Sequence, residues 1–438
     1  MISEIKKILQ NQRGVALMMI MTAIIVLMAI YGEFTFDSKI SRIKATNILD
    51  RSQAKLLAES GLQLGLARLR LYKEAYNKVQ SNADAKNMVS TQLINQLWEV
   101  PFIFPVPITK DAPRAFRDTV EKFQAETLLE GEMKISIQNI SNRLNLNLIR
   151  MDMSKFNPAT HQADASSFLD QSDMAISTNV SIAQALFFSM KRLVEQKKNK
   201  DESFEQRHGD INYQEMVSNL KYFTSDMTSL EQDPMAGEAQ SNFQKIPLTP
   251  KYGPMSSSSE LYAIPGWEDE LIELIQNEFS IYPSAQIDLN KLTENMLRIL
   301  IPNMSEDDAK EFFLYRDDPE TPKFFNTKED FKRYIVEIAR LMDNNIFDER
   351  MKLLEAKGIV FGSNPNLFKV VSEGSYNRST YTLVAYVELP IQQNTAPTTP
   401  VPNPNSDPNT KPTGSNSATT PKQSAQLLDP RVIEIQIN

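Results

Sequence analysis

The sequence predicts an α+β fold in which a long N-terminal helix packs on a small antiparallel sheet, with a large all-α domain inserted into that sheet. Two observations carry this. No proline interrupts the chain from Val15 to about Ser81, so a single helix can run through the whole stretch. Segments with the two-residue period of strands then lie far apart, at 133–138 and again at 367–372, 380–389 and 431–437, with mainly helical sequence between them. A sheet divided in this way implies an insertion.

The first element begins as an apolar run. Residues 15–30 are almost uninterrupted apolar sequence, and 15–32 carry no charge, near the short end of what spans about 30 Å of hydrocarbon as helix. Lys6, Lys7 and Arg13 precede it, which places the N-terminus in the cytoplasm and everything after residue 33 outside. A secretory signal would need a small-x-small cleavage site after the run. Glu33, Asp37, Lys39 and Arg42 follow instead, without one. The leader ends in Gln12-Arg13-Gly14-Val15-Ala16-Leu17, a glycine directly before the apolar run, and this resembles the leader of prepilins. The resemblance implies cleavage by a prepilin peptidase between Gly14 and Val15, with the new amine of Val15 methylated and the apolar helix kept. Most proteins with such leaders carry a glutamate as the fifth residue after the cut; here that position is Met19.

Beyond the membrane run, Ala58, Leu62, Gly65, Leu69, Tyr72 and Tyr76 step by four and three, and Leu57, Gly61 and Leu64 widen the stripe. The helix should therefore dock on the rest of the protein through this face. A second helical stretch is expected near 86–99, then a loop punctuated by Pro101, Pro105, Pro107 and Pro113. Met133, Ile135 and Ile137 then alternate with Lys134, Ser136 and Gln138, the pattern of a half-buried strand. The final strand alternates Ile433, Ile435 and Ile437 with Glu434 and Gln436. Residues 390–428, dominated by Pro, Thr, Asn and Ser, have too few large apolar side chains to offset their ordering entropy and are expected to form a disordered loop.

Composition excludes several functions. The 438 residues contain no cysteine, so thiolate metal sites, cysteine nucleophiles and disulfides are ruled out together. Only two histidines occur, His161 and His208, which excludes a multi-histidine centre. With thirteen glycines there is no phosphate-cradling loop, no nucleophile elbow and no HExxH, so no enzyme is expected. A net charge of -8 argues against general nucleic-acid binding.

Several stretches together resemble protein K, the minor pseudopilin family of type II secretion systems. These include AESGLQLGLARL at 58–69, the strand ending Ser141-Asn142-Arg143-Leu144-Asn145-Leu146-Asn147, and two units like helix-hairpin-helix modules. The first unit, 258–275, contains Glu260-Leu261 and Pro265-Gly266. The second, 287–331, places Asn290, Leu297, Ala309, Arg316, Phe325, Asp330 and Phe331 where that family has corresponding residues. In the strand ending, Asn142 stands where the family has glycine and Leu144 where it has phenylalanine. Protein K also lacks the glutamate that Met19 replaces, because a subunit at the tip of a filament has none above it to pair with.

The resemblance implies a pilin-like head with an inserted helix-hairpin-helix or SAM-like domain. The expected parts are a leader at 1–14, a transmembrane part at 15–32, the first part of the head at 33–150, and an inserted domain at 151–360. Head strands at 361–389, the 390–428 loop and a final strand at 429–438 complete the chain. It further implies a single-pass protein of the inner membrane with its C-terminal domain in the periplasm. Its implied role is to cap the pseudopilus tip, start its assembly and support export of folded proteins across the outer membrane. Implied partners are I-type and J-type minor pseudopilins, the major pseudopilin, the prepilin peptidase and the inner-membrane assembly platform, with no nucleic acid. Calcium is the one ion the resemblance suggests. Glu306-Asp307-Asp308 and Asp317-Asp318 supply oxygen ligands, but no loop has the EF-hand order, so no ligand is assigned.

Two other functions stay open from sequence. A minor pilin of a type IV pilus shares the leader but normally keeps the glutamate. A membrane-anchored DNA-uptake protein would use the hairpin units, although the second hairpin, Ile301-Pro302-Asn303-Met304-Ser305-Glu306-Asp307-Asp308, lacks glycines and basic neighbours.

Overall fold

A computed structural model of the protein describes residues 12–82, 91–108, 113–127, 129–150, 182–231, 233–246, 248–282, 287–301, 304–318, 320, 323–325, 327–356, 361–362, 365–392 and 426–437. The N-terminal part comprises α1 (Gln12–Ser81), α2 (Thr91–Glu99), β1 (Phe102–Phe104), α3 (Arg114–Glu126), β2 (Glu132–Asn139) and β3 (Leu144–Asn145). A helical region follows: α4 (Ile182–Lys198), α5 (Glu202–His208), α6 (Tyr213–Thr224), α7 (Met227–Leu230), α8 (Ala236–Gln244), α9 (Asp269–Ile275), a short β4 (Phe279–Ser280), α10 (Glu294–Leu300), α11 (Glu306–Arg316), α12 (Lys328–Arg333) and α13 (Asn344–Ala356). The chain ends with β5 (Leu367–Tyr376), β6 (Ser379–Glu388), β7 (Ile391–Gln392), β8 (Gln426–Leu427) and β9 (Arg431–Ile437).

The main sheet has the order β1-β2-β5-β6-β9, and every neighbouring pair is antiparallel. β2 and β5 are therefore adjacent strands separated in sequence by the helical region, so that region is an insertion between them. The alternation read from the sequence decides the faces. Met133, Ile135 and Ile137 of β2, Phe368 and Val370 of β5, and Leu383, Ala385 and Val387 of β6 all pack in one core with α1. Leu367, Val384 and Tyr386 point to the other face and join the core of the helical insertion. The protein is thus built in three layers, helix, sheet and helical domain.

α1 is 70 residues long, about 105 Å at 1.5 Å per residue. Its second half lies across the sheet through the predicted stripe: Leu57, Ala58, Leu62, Leu69, Tyr72 and Tyr76 are all buried, and Ala54 and Leu66 extend the face. Each large side chain buried there stabilises the packing by about 1.5 to 3 kcal/mol. The contact is close because a glycine stands on each side of it. A Cβ at Gly374 of β5 would lie 2.3 Å from the Ala54 carbonyl oxygen and 2.6 Å from the Ala58 nitrogen. A Cβ at Gly61 of α1 would lie 2.2 Å from Ser372 Oγ, and that hydroxyl donates to the Ala58 carbonyl at 2.8 Å. Two polar groups tie down the helix end: Asn77 Nδ2 donates to Leu427 O at 2.8 Å, and Leu427 N donates back to Asn77 Oδ1 at 2.9 Å. α2 closes the far side of this core, with Trp98 edge-on to Phe368 at 5.2 Å and Arg68 donating to the Leu97 and Val100 carbonyls at its C-terminal end.

The proline-rich stretch differs from the sequence expectation. It contains β1, paired with β2 over Phe102↔Ile135 to Phe104↔Met133, and then α3. Proline lacks a ladder donor and is confined to sheet edges; Pro101 and Pro105 bracket β1 at the sheet edge, and three residues between them are too few to show a period. The 390–428 segment falls mostly outside the described residues. Its two ends are described and pair as β7 and β8, Ile391↔Leu427 and Gln392↔Gln426.

The close contact makes a specific prediction. Gly374→Ala forces a Cβ against helix backbone that cannot rotate away, and should cost about 1 to 3 kcal/mol, read as a lowered urea midpoint followed by circular dichroism. Gly237→Ala, where a Cβ meets nothing within 4 Å, should leave the midpoint equal or raised. Equal midpoints for Gly374→Ala and the unaltered chain would refute the tight contact.

Candidate functional site

The first half of α1 leaves the head as a bare helix. Residues 16–49 are exposed or nearly so, and burial begins at Asp50, whose carboxylate accepts from Asn377 Nδ2 at 3.0 Å in the turn between β5 and β6. The helix is long and apolar enough to cross a membrane, and none of its most apolar window is buried against the protein. Thr22 Oγ1 donates to the Met18 and Met19 carbonyls at 2.9 Å each. Thr22 therefore brings no unsatisfied hydroxyl into an apolar phase. Past the apolar run, Phe34 and Phe36 are exposed near Tyr31. About 25 Å of helix then separates the end of the apolar run from the head, and Ile43, Ile48 and Leu49 along it are also bare.

The predicted site residues lie at the start of this segment. Gly14 and Val15 are in the first turns of α1 with helical backbone. Met19 is 68% exposed on the helix surface. The preceding residues of the leader, 1–11, lie outside the described residues.

The strand-ending motif builds the neck of the insertion. Ile140 N donates to Leu367 O at 2.9 Å, and Ser141 Oγ accepts from Asn366 N at 3.0 Å and Leu367 N at 2.9 Å, so the outgoing and returning chains are stitched together. Asn142 Nδ2 donates to Asp288 O at 3.0 Å while Asp288 N donates to Asn142 Oδ1 at 2.8 Å. Asn147 Nδ2 donates to Met255 O at 3.0 Å and Ile281 O at 2.9 Å, and Met255 N donates to Asn147 Oδ1 at 2.8 Å. Leu144 and Leu146 fill the core beneath, and β3 pairs in parallel with β4. The asparagine at 142 is thus a two-way clip that a glycine would lack.

The residues singled out in the two hairpin units make internal contacts. In the first, Glu260 accepts from Ser256 N and Ser257 N at 2.8 and 3.1 Å and from Lys251 Nζ at 2.8 Å. Burial pushes its carboxyl up, but those bonds outweigh it and hold the group below the usual carboxylate range. Gly266 turns the chain at φ 82°, and Trp267 Nε1 donates to Met216 O at 2.9 Å. In the second, Asn290 Nδ2 donates to Phe325 O and Phe325 N donates to Asn290 Oδ1, at 3.0 and 2.8 Å. Leu297, Ala309, Phe325 and Phe331 are core, and Arg316 donates to Leu292 O at 3.0 Å. Asp308 and Asp330 close capping boxes with Ser305 and Thr327. The start of α11 is therefore occupied by its own acidic cap, which repels phosphate. Asp317 pairs with Arg316 at 2.8 Å. Among the described residues no group of three or more His, Asp and Glu side chains could hold a metal ion. His161 lies outside them, and His208 sits between Glu268 and Glu270, at 3.5 and 2.9 Å.

One feature has no sequence signal. Arg143, from the strand-ending motif, and Lys369 of β5 line a common cleft of about 430 Å³ between the sheet and the insertion, although they are far apart in the chain.

No family model matches the chain, and no curated protein matches it. Among solved structures, it is similar to a chain in the crystal structure of the GspK-GspI-GspJ complex from the type 2 secretion system of enterotoxigenic Escherichia coli. The likeness covers 91% of this chain and 99% of that chain, at 13% identity and a TM-score of 0.48.

The neck and the buried tyrosines can each be tested. Asn147→Leu removes three hydrogen bonds and leaves backbone groups without partners, and should lower unfolding free energy by about 2 to 4 kcal/mol in urea. Asn199→Leu, at an exposed position, should change it by less than about 0.5 kcal/mol; matching effects would remove the clip from the account. Burial holds the Tyr72, Tyr282 and Tyr386 hydroxyls above the ordinary tyrosine range. Because the folded values are raised, their contribution is full below the unfolded value near 10 and is lost as pH rises past it. The urea midpoint should therefore hold to about pH 9.5 and fall beyond. Reversible ionisation of all thirteen tyrosines at 295 nm with the native circular dichroism intact would contradict this.

Proposed function

We propose that the chain is a membrane-anchored, non-catalytic minor pseudopilin of the K type in a type II secretion system. The observation that carries this is one unbroken helix with a bare apolar half, whose other half docks on a sheet split by a helical insertion. The order of these parts agrees with the resemblance of the leader, the strand-ending motif and the hairpin units. In this reading residues 1–14 are the leader, 15–32 the membrane part, 33–150 with 361–389 and 429–438 the head, 151–360 the inserted domain, and 390–428 a loop joining the last strands.

Prepilin peptidase cuts between Gly14 and Val15 on the cytoplasmic side, so the apolar helix stays on the mature chain and its Val15 amine becomes available for methylation. The protein then stands in the inner membrane with its head in the periplasm. Exposed side chains along the bare helix, including Phe34, Phe36, Ile43, Ile48 and Leu49, have no use in the head and suit packing against other helices. Partners are the I-type and J-type minor pseudopilins beside it, the major pseudopilin below and the assembly platform in the membrane. Two features favour the tip. Met19 puts no carboxylate where a subunit above would have to supply an amine, and the inserted domain adds bulk that would obstruct a further subunit. At the tip the chain starts assembly and supports movement of folded proteins through the outer membrane.

The test is intact mass and N-terminal sequencing of the chain extracted from membranes. The expected chain starts at Val15, with or without one methyl. Gly14→Arg should remain in the membrane at full length. A wild-type chain beginning at Met1, or a Gly14→Arg chain at mature size, would overturn the processing route.

A further inference from the structure

The cleft between sheet and insertion holds two cations, Arg143 and Lys369. Arg143 enters it from the neck and Lys369 from β5, each half-buried. Among the described residues neither side chain makes a hydrogen bond or ion pair. Burial pulls both below their ordinary proton affinity, and for Lys369 the neighbouring Arg143 charge adds to it. The acidic side chain in the cleft is already engaged by other donors. Glu434 of β9 accepts from Tyr282 Oη, from Ser257 Oγ at 2.7 Å and from Gln436 Nε2 at 2.9 Å. Glu278 raises the proton affinity of Arg143 through space, but its carboxylate accepts from Thr293 Oγ1 at 2.6 Å. Both carboxylates keep their charge, but neither bonds to Arg143 or Lys369, so the two partly desolvated like charges stand side by side with no counter-charge in contact, which is costly.

The rest of the lining fixes the kind of anion. The Tyr282 and Tyr386 rings lie 4.3 Å apart along one wall, and Leu261, Ile272 and Ile275 add apolar surface. A volume of about 430 Å³ falls within the usual range for small-molecule sites, about 300 to 1,000 Å³. Such walls disfavour a fully hydrated inorganic dianion, whereas a guanidinium fork and an ammonium suit a carboxylate. We propose that this cleft binds an organic carboxylate carried on an apolar group, with Arg143 and Lys369 holding the charge and the aromatic and aliphatic walls holding the tail. A free carboxylic acid and the C-terminal end of a peptide share this chemistry.

The test is calorimetric titration of the full chain in a neutral detergent. Probes are N-acetyl-leucyl-phenylalanine, its C-terminal amide, 4-phenylbutyrate and inorganic phosphate. The acetyl dipeptide should bind saturably, and its amide should bind at least about tenfold more weakly. Arg143→Gln and Lys369→Met should each weaken the acid by about tenfold or more, with circular dichroism unchanged. Phenylbutyrate binding as well as the dipeptide would assign the site to free acids, and binding only the dipeptide would assign it to a peptide end. No saturable binding of either acid to about 10 mM, equal binding of acid and amide, or phosphate competing as strongly as the acids would overturn the proposal. The amide comparison uses the unaltered chain, so it decides even if Arg143→Gln fails to fold.

Discussion

The fold depends on how closely α1 can lie against the sheet. Gly61 on the helix and Gly374 on β5 remove the two Cβ atoms that would hold the layers apart, and the Ser372 hydroxyl spans the contact to the Ala58 carbonyl. At that distance Leu57, Leu69 and Tyr72 sink fully into the sheet face, and the helix becomes a rigid spine for β2, β5 and β6. Because the docked face ends near Asp50, the same spine projects its other half outward as a bare helix. Docking and projection are two consequences of one helix running without a break through both environments.

The second constraint is the neck. A large insertion between two neighbouring strands would swing freely if only the two chain crossings held it. Ser141 ties the crossings to each other, and asparagine side chains then hold distant loops by giving and accepting at once. Asn142 holds Asp288, Asn147 holds Met255 and Ile281, and Asn290 holds Phe325. Asn77 does the same between α1 and the approach to β9. The amide is well suited to this because it offers a donor and an acceptor without a charge, so it can be partly buried at little electrostatic cost. Aspartate could only accept, and a buried carboxylate such as Asp288, pushed up by desolvation, shows the cost of the alternative.

Much of this is legible in the sequence, for physical reasons. A stripe of period 3.6 or 2 that is buried on one side leaves its trace in the order of residues, which is why Ala58 to Tyr76 and Met133 to Ile137 can be read directly. β1 cannot, because three residues between prolines carry no period. α3 escapes for a related reason: it buries Val120 while Phe116 and Phe123 remain exposed, so it packs against only a small surface. The neck asparagines are visible as a motif, but their work is not, since each partner lies on a loop far along the chain. The Arg143–Lys369 cleft leaves no trace at all. Its cations come from different layers, and only the closing of the insertion onto the sheet brings them together.

Covering both faces of the sheet decides where another chain can touch the head. Among the described residues, α1 covers one face of β2, β5 and β6 and the insertion packs on the other. At one edge, β1 is bracketed by prolines that cannot extend a ladder, and α3 packs beside it with Phe123 edge-on to Phe104 at 6.3 Å. At the other edge, β9 has no strand beyond it among the described residues, and Ile435 and Ile437 stand exposed on the α1 side. Those isoleucines lie across from Ala385 and Leu383, which α1 does cover, so the apolar surface continues from the helix layer to the sheet edge.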